Sequence, residues 1–182
     1  NLLSKIQEYK TKFYTNQLIK GFLISLALVL TVFITINFIE YFGRLNGVFR
    51  GGLLFAFLGL VIYTVVVYIG RPLFYFFKIR KPLSNEQAAR DIGQFFPEIS
   101  DRLLNTIQLA STIQPEDQLL LASIEQKSES FKLVKFADAI NFSENKKYLK
   151  YALPPLILII FISAIVPSFF KSSERIIKFR KE

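Results

Sequence analysis

No cysteine, histidine, methionine or tryptophan occurs anywhere in the 182 residues. The first two absences exclude disulfides, thiol nucleophiles, imidazole bases and zinc sites of the usual type, and with methionine missing as well the haem ligands His, Met and Cys are all gone. Any chemistry must rest on carboxylates, hydroxyls, Lys, Arg and Tyr. A chain without cysteine carries no signal about its redox compartment. Because methionine is absent, Asn1 is not an initiator, and the sequence reads as a processed or trimmed portion of a chain. Strings of the GxxxxGK[ST], GxGxxG, GxSxG and HExxH types are missing too, so nucleotide hydrolysis and the common hydrolase routes have no handle.

Acidic residues are also scarce: 14 Asp and Glu stand against 23 Lys and Arg, for a net charge of +9. Such an excess can serve nucleic acid, anionic lipid or membrane topology. Here the basic residues gather at the ends of apolar blocks, which favours lipid head groups and topology. No RNP, zinc-finger or helix-turn-helix signature supports a nucleic-acid partner.

What the chain has in abundance is apolar surface, 52% of its residues, with 20 Phe and 8 Tyr, clustered into three blocks. The central block, Leu53–Gly70 (LLFAFLGLVIYTVVVYIG), makes a helix of about 27 Å, close to the apolar thickness of a bilayer. Before it, Gly21–Phe38 is a first span, too long for a secretory signal and followed by no small-residue cleavage site. Glu40, Tyr41 and Phe42 close it at the water boundary. Thr31, Thr35 and Asn37 are its polar residues, and backbone or interhelical hydrogen bonds are a better reading of them than a transport role. A third run, Tyr151–Phe170, carries Pro154 and Pro155 near its start, which should bend or locally open it, and Pro167 at its far end.

Between and around these runs the sequence supplies connections. Gly43–Gly52 (GRLNGVFRGG) reads as a tight turn that makes the first two spans an antiparallel hairpin. Leu2, Leu3, Ile6, Tyr9 and Phe13 recur every three or four positions opposite Lys5, Glu8 and Lys12, an amphipathic helix with a basic face. Joined to a span, that helix is expected in the membrane interface; packing on the protein's own soluble part is the alternative. At Arg71–Pro72 the pattern of the second span changes, and Leu73–Phe77 with Lys78, Arg80 and Lys81 reads as an aromatic belt and basic anchor. In the soluble stretch, Ser84 and Gln87 form a capping-box pattern, a helix follows to Pro97, a second runs over about 98–111, and a third starts at Pro115 with Glu116 and Asp117 at its dipole end. Residues 133–142 are ambiguous between a short helix and an extended segment.

The expected fold is an all-α integral membrane protein with three transmembrane helices and a small cytoplasmic helical domain between the second and third. Its parts are an amphipathic interfacial helix (1–20), a first span (21–42), an extracytoplasmic turn (43–52), a second span (53–77), a helical cap (78–148), a third span (149–170) and a charged tail (171–182) expected to lead into a further extracytoplasmic region. Candidate head-group or topology anchors are Lys12, Lys20, Arg71, Lys78, Arg80, Lys81, Lys146, Lys147 and Lys150. By the positive-inside rule the basic excess flanking 1–20 and 71–150 places the N-terminus and the cap in the cytoplasm and the tail outside, although the basic tail weighs against it.

The stretch KPLSNEQAARDIGQFFPEISDRLLNTIQLA, Lys81 to Ala110, resembles the membrane-proximal segment of the bacterial envelope proteins classified as domain of unknown function 4175. The resemblance rests on Ala88, Ala89, Arg90, Pro97, Glu98, Asp101, Arg102, Leu103 and Leu104. It implies two spans, this segment, a third span and a large extracytoplasmic region, in a bacterial inner membrane; it implies no reaction. Arg90, Pro97, Glu98, Asp101 and Arg102 form a possible interaction motif. Glu98, Asp101 and Arg102 offer too few converging oxygens for a metal, and a helix-dipole role for Asp101 with a carboxylate or lipid-phosphate partner for Arg102 is the better reading. No carboxylate lies centrally in any span, and Glu40 at a span end is a poor proton carrier. No catalytic, cofactor or metal residue is assigned.

The functional expectation is a non-enzymatic anchor or scaffold of the cell envelope, in contact with anionic lipid and with other membrane or envelope proteins. Two alternatives stand: an accessory subunit of a transport or secretion complex, and the membrane portion of an enzyme whose active site lies in a further region.

Overall fold

The computed structural model describes residues 2–77, 82–112 and 118–179, and among them every regular element is helical, with no strand. The elements run α1 (Leu2–Gly43), α2 (Gly47–Thr64), a π-helical segment (Val65–Gly70), α3 (Arg71–Phe76), α4 (Asn85–Phe95), α5 (Ser100–Thr112), α6 (Gln118–Glu129), α7 (Lys146–Ile165) and α8 (Lys171–Ile177). Short 3-10 turns occupy Pro97–Ile99, Phe136–Ala139, Phe142–Asn145 and Pro167–Phe170. Three stretches are long and apolar enough to cross a membrane: Leu2–Gly43, Gly47–Tyr75 and Phe136–Ile165, the last of which is α-helical from Lys146 onward. The anchors Lys78, Arg80 and Lys81 and the helix start at Pro115–Asp117 lie outside the described residues.

The chain divides into two compact units, Asn1–Asn16 with Leu73–Phe142, and Gln17–Pro72 with Ser143–Glu182. Helix α1 contributes its first turns to one and the remainder to the other. The amphipathic N-terminal stretch and the first span, expected as two elements, are thus one uninterrupted helix.

In the first unit the apolar stripe of α1 is core. Leu2, Ile6 and Tyr9 are buried with Ala88, Ala89 and Ile92 of α4, Leu103 and Ile107 of α5, and Phe131 and Phe136, with Phe13 packed alongside. The expected interfacial placement of this stripe therefore gives way to its alternative, packing on the protein itself. The polar face is engaged as well. Lys5 Nζ donates to the carbonyls of Phe131, Lys132 and Val134 at 2.8, 2.6 and 2.9 Å, and Lys12 Nζ donates to Ala137 O at 2.7 Å. These lysines add side-chain bonds to the irregular stretch 131–137, so Lys12, expected as a head-group anchor, also bonds the protein's own backbone. Lys10 bonds Asn85 Oδ1 at 2.7 Å, and the Tyr14 hydroxyl accepts from Leu83 N at 2.6 Å.

Local signals explain the small helices. Ser84 Oγ accepts from Gln87 N at 3.0 Å, capping α4 as its spacing implies. The residue before a proline avoids the α conformation, and Phe96, at φ −118 and ψ 77, ends α4 ahead of Pro97. Chain reversal there brings Gly93 so close to Ser100 that an added Cβ would lie 2.4 Å from its Oγ, which is why this position has no side chain.

The π-helical segment joins α2 to α3, so the helix passes Arg71–Pro72, where the sequence pattern changes, and runs on to Phe76. Proline has no amide hydrogen to give, and the wider turn, in which Arg71 N–H reaches Val66 O, carries the helix past it. On α1, Gly21 meets this segment so closely that a Cβ would sit 1.9 Å from Tyr68 O. Only glycine allows that approach. Helix α7 stays α-helical through Pro154 and Pro155 and ends at Ile165, with Val166 N bonded to Ile162 O at 2.7 Å ahead of Pro167.

Tyr9 gives the first unit a pH signature. Burial, reinforced by the charge of Asp91, raises its pKa from 10.0 to about 12. A folded-state pKa above the unfolded one means stabilisation that is complete below pH 10 and disappears as pH climbs through 12. The melting temperature of the detergent-solubilised protein should fall more steeply across that window than that of Tyr9→Phe; superimposable profiles would contradict this.

Candidate functional site

Glu40 closes the first apolar run and is the most thoroughly buried charged group described, with no exposed surface. Its burial follows from how the chain turns. Helix α1 ends at Gly43, and Arg44 takes a left-handed conformation at φ 43, a strain of about 1 kcal/mol for a residue with a side chain. That leaves a connection of three residues, Arg44–Asn46, where a ten-residue turn was expected. Leu45 N donates to Glu40 Oε2 at 3.3 Å, and Asn46 Oδ1 accepts from Phe49 N at 3.1 Å, capping α2. One turn later Arg50 Nε donates to Glu40 Oε1 at 3.0 Å.

A second guanidinium arrives from the far end of the chain. Arg175 Nε lies 3.2 Å from the same Oε1, outside hydrogen-bonding geometry, so this contact is ionic. Helix α8 that delivers it is seated on the α1–α2 hairpin by a stripe of buried residues, Phe169, Ser172 and Ile176, spaced three and four apart. Ser173 Oγ donates to Asn37 Oδ1 at 2.6 Å, while Asn37 Nδ2 donates to Phe33 O at 2.9 Å. Phe170 stacks on Phe33 at 6.1 Å between centroids, Phe169 lies 5.4 Å from Tyr41, and Phe179 rests on Gly51, where a Cβ would meet its ring at 3.1 Å. Residues 33, 37, 40 and 41 share one face of α1, which receives Phe169, Phe170, Ser173 and Arg175, while Phe179 rests on α2.

Beside this cluster is an apolar cleft of about 240 Å³, walled by Phe33, Ile36 and Asn37 of α1, Leu53, Leu54, Phe57 and Leu58 of α2, and Ser173, Ile176 and Ile177 of α8. Its lining is almost wholly hydrocarbon. Arg50 lies one turn before Leu53 and Leu54, and Arg175 stands between Ser173 and Ile176 in α8, so the two arginines adjoin the lining residues without being among them.

The residues singled out by sequence fall elsewhere. Arg90, Pro97, Glu98, Asp101 and Arg102 are all exposed in the first unit, and none of the four charged ones forms an ion pair among the described residues. The carboxylate partner expected for Arg102 is thus not found there. Lys20 and Lys147 lie over the Tyr148 ring at 5.3 and 5.1 Å, while Arg71, Lys146 and Lys150 are exposed. Thr31 and Thr35 donate to Ala27 O and Thr31 O, the backbone bonds expected of them. No group of three acidic, Cys or His residues among those described could hold a metal ion.

Sequence reasoning missed the Glu40 cluster, placing Glu40 at a water boundary and reading the tail as the charged start of a further extracytoplasmic region. The readable signals were a carboxylate ending an apolar run with arginines on both sides of the hairpin and in the tail, and the spacing of 169, 172 and 176.

Fold and site together define an all-helical protein with three helices long and apolar enough to cross a membrane, and with a buried carboxylate–arginine cluster where α1, α2 and α8 meet. No protein-family model, curated protein or solved structure matches the chain.

Removing one partner of a buried ion pair typically costs about 3–5 kcal/mol, because the remaining charge stays buried and unpaired. Glu40→Ala should therefore loosen α8 from the hairpin and open Lys171, Arg175 and Lys178 to trypsin in the detergent-solubilised protein. Cleavage at the wild-type rate would show that the carboxylate does not hold the segment.

Proposed function

We propose that this chain is a non-enzymatic inner-membrane anchor of the bacterial cell envelope, holding a small helical domain at the cytoplasmic face as a docking element of a larger membrane assembly. The observation that carries the reading is the division of labour within residues 85–112. Ala88, Ala89, Ile92, Leu103 and Ile107 are consumed in the core, while Arg90, Glu98, Asp101 and Arg102 are left outside it without ion-pair partners among the described residues. Burying two opposite-charge pairs' worth of groups at a protein interface gives specificity and register. The same segment carries the resemblance to the envelope family, and the proposal includes that kinship.

Orientation rests on charge. Lys20, Arg71, Lys146, Lys147 and Lys150 gather at one set of helix ends, where they suit anionic head groups on the cytoplasmic side. The other ends hold Arg44, Arg50, Lys171, Arg175 and Lys178, but Glu40 and Glu174 offset part of that charge. Nucleic acid is not part of the reading, since the basic residues follow the apolar runs and no single basic face dominates the helical unit.

A photocrosslinking residue at Arg102 and another at Glu98 should each yield adducts with a membrane or envelope protein, and an alkaline-phosphatase fusion after Glu182 should be active. Crosslinks to lipid alone, or a fusion active only as a cytoplasmic reporter, would overturn the docking role and the orientation respectively.

A further inference from the structure

The apolar cleft between α1, α2 and α8 has a property that packing alone does not explain: its edge carries more positive charge than its own carboxylate can neutralise. Arg50 and Arg175 share the single carboxylate of Glu40, leaving one positive charge over. The Arg175 side chain is 40% exposed, so that charge is reachable. Below the arginines the cleft is lined by residues of two apolar runs, with Leu58 and Ile177 exposed at its walls. In a bilayer such a cleft opens onto hydrocarbon, and what enters it is an acyl chain. At about 240 Å³ it falls short of the roughly 300–1,000 Å³ of sites that enclose a whole small molecule, which suits one chain of a lipid whose head group stays outside.

We propose that this cleft is a binding site for a phospholipid of net negative charge, one acyl chain lying between Phe57, Leu54 and Ile176 and the phosphate meeting the Arg175 guanidinium beside Glu40. The acyl chain alone confers no selectivity, because bulk lipid is as apolar as the cleft. Selection comes from the surplus charge. One basic residue near a membrane surface favours an anionic lipid by about fivefold. The planar guanidinium adds a two-point fit to phosphate oxygens that an ammonium lacks. The proposal depends on the chain lying in a bilayer but not on any partner of the helical unit.

The test uses the full chain in neutral detergent, incubated with equal amounts of phosphatidylglycerol and phosphatidylcholine of identical acyl chains, with retained lipid counted by native mass spectrometry. Wild type should retain one phosphatidylglycerol at about fivefold preference. Leu54→Trp, which fills the cleft, should lose the retained lipid of either kind. Arg175→Gln should retain lipid without preference, and Arg175→Lys should recover a good part of it. Helicity and melting of each variant establish that it is folded, and the cleft-filling variant keeps the test decisive if Arg175→Gln is not. Equal retention of the two lipids by wild type, or undiminished phosphatidylglycerol on Leu54→Trp, would overturn the proposal.

Discussion

A buried carboxylate holds the second unit together. Glu40 has no exposed surface, and an ion placed so is stable only when its lone pairs are met at short range. Three groups from three segments converge on it: the Leu45 amide of the connection and Arg50 of α2 by hydrogen bonds, and Arg175 of α8 by an ionic contact. The consequences spread outward. The tight connection with left-handed Arg44 and the seating of α8 on the α1–α2 hairpin both involve that carboxylate. A pair of arginines around one acid also leaves the surplus charge at the cleft's edge.

The architecture of the helices was legible in the sequence because length and apolar content decide it. Gly21–Phe38 and Leu53–Gly70 contain no acidic or basic side chain, and both lie inside helices of the required length. Ser84, Gln87 and Pro97 set α4 correctly because caps and prolines act within a turn of themselves. What periodicity could not decide was what the stripe Leu2–Ile6–Tyr9–Phe13 faces. An amphipathic stripe looks the same against lipid and against α4, and only the tertiary fold reveals that it meets Ala88 and Ile92. The change of pattern at Arg71–Pro72 left the local geometry open for a related reason: proline removes one hydrogen bond, and only the structure shows that a π-helical turn carries the helix past it.

The Glu40 cluster was illegible because its members lie far apart in sequence. Arg175 meets a partner 135 positions away, and Ser173 meets Asn37 across a comparable gap. Neither residue belongs to a motif. The tail read only as a charged lead into a further region, and the spacing of Phe169, Ser172 and Ile176 was its one sign of a buried face. By contrast, Arg90, Glu98, Asp101 and Arg102 were conspicuous in sequence because they stand on a recognisable segment, and all four are exposed. The two units thus treat charge differently: one buries the Glu40 carboxylate where three segments meet, the other leaves these four charged residues exposed.

The most direct measurement of this account is a double-mutant cycle between Glu40 and Arg175, with Glu40→Gln, Arg175→Gln and the double variant unfolded in parallel in detergent. Residues that truly share a buried network couple by about 0.5–3 kcal/mol, and the account expects a value of at least about 1.5 kcal/mol here. Additivity within about 0.5 kcal/mol would mean that the carboxylate and the distant guanidinium do not support one another, and the organisation described around Glu40 would fall.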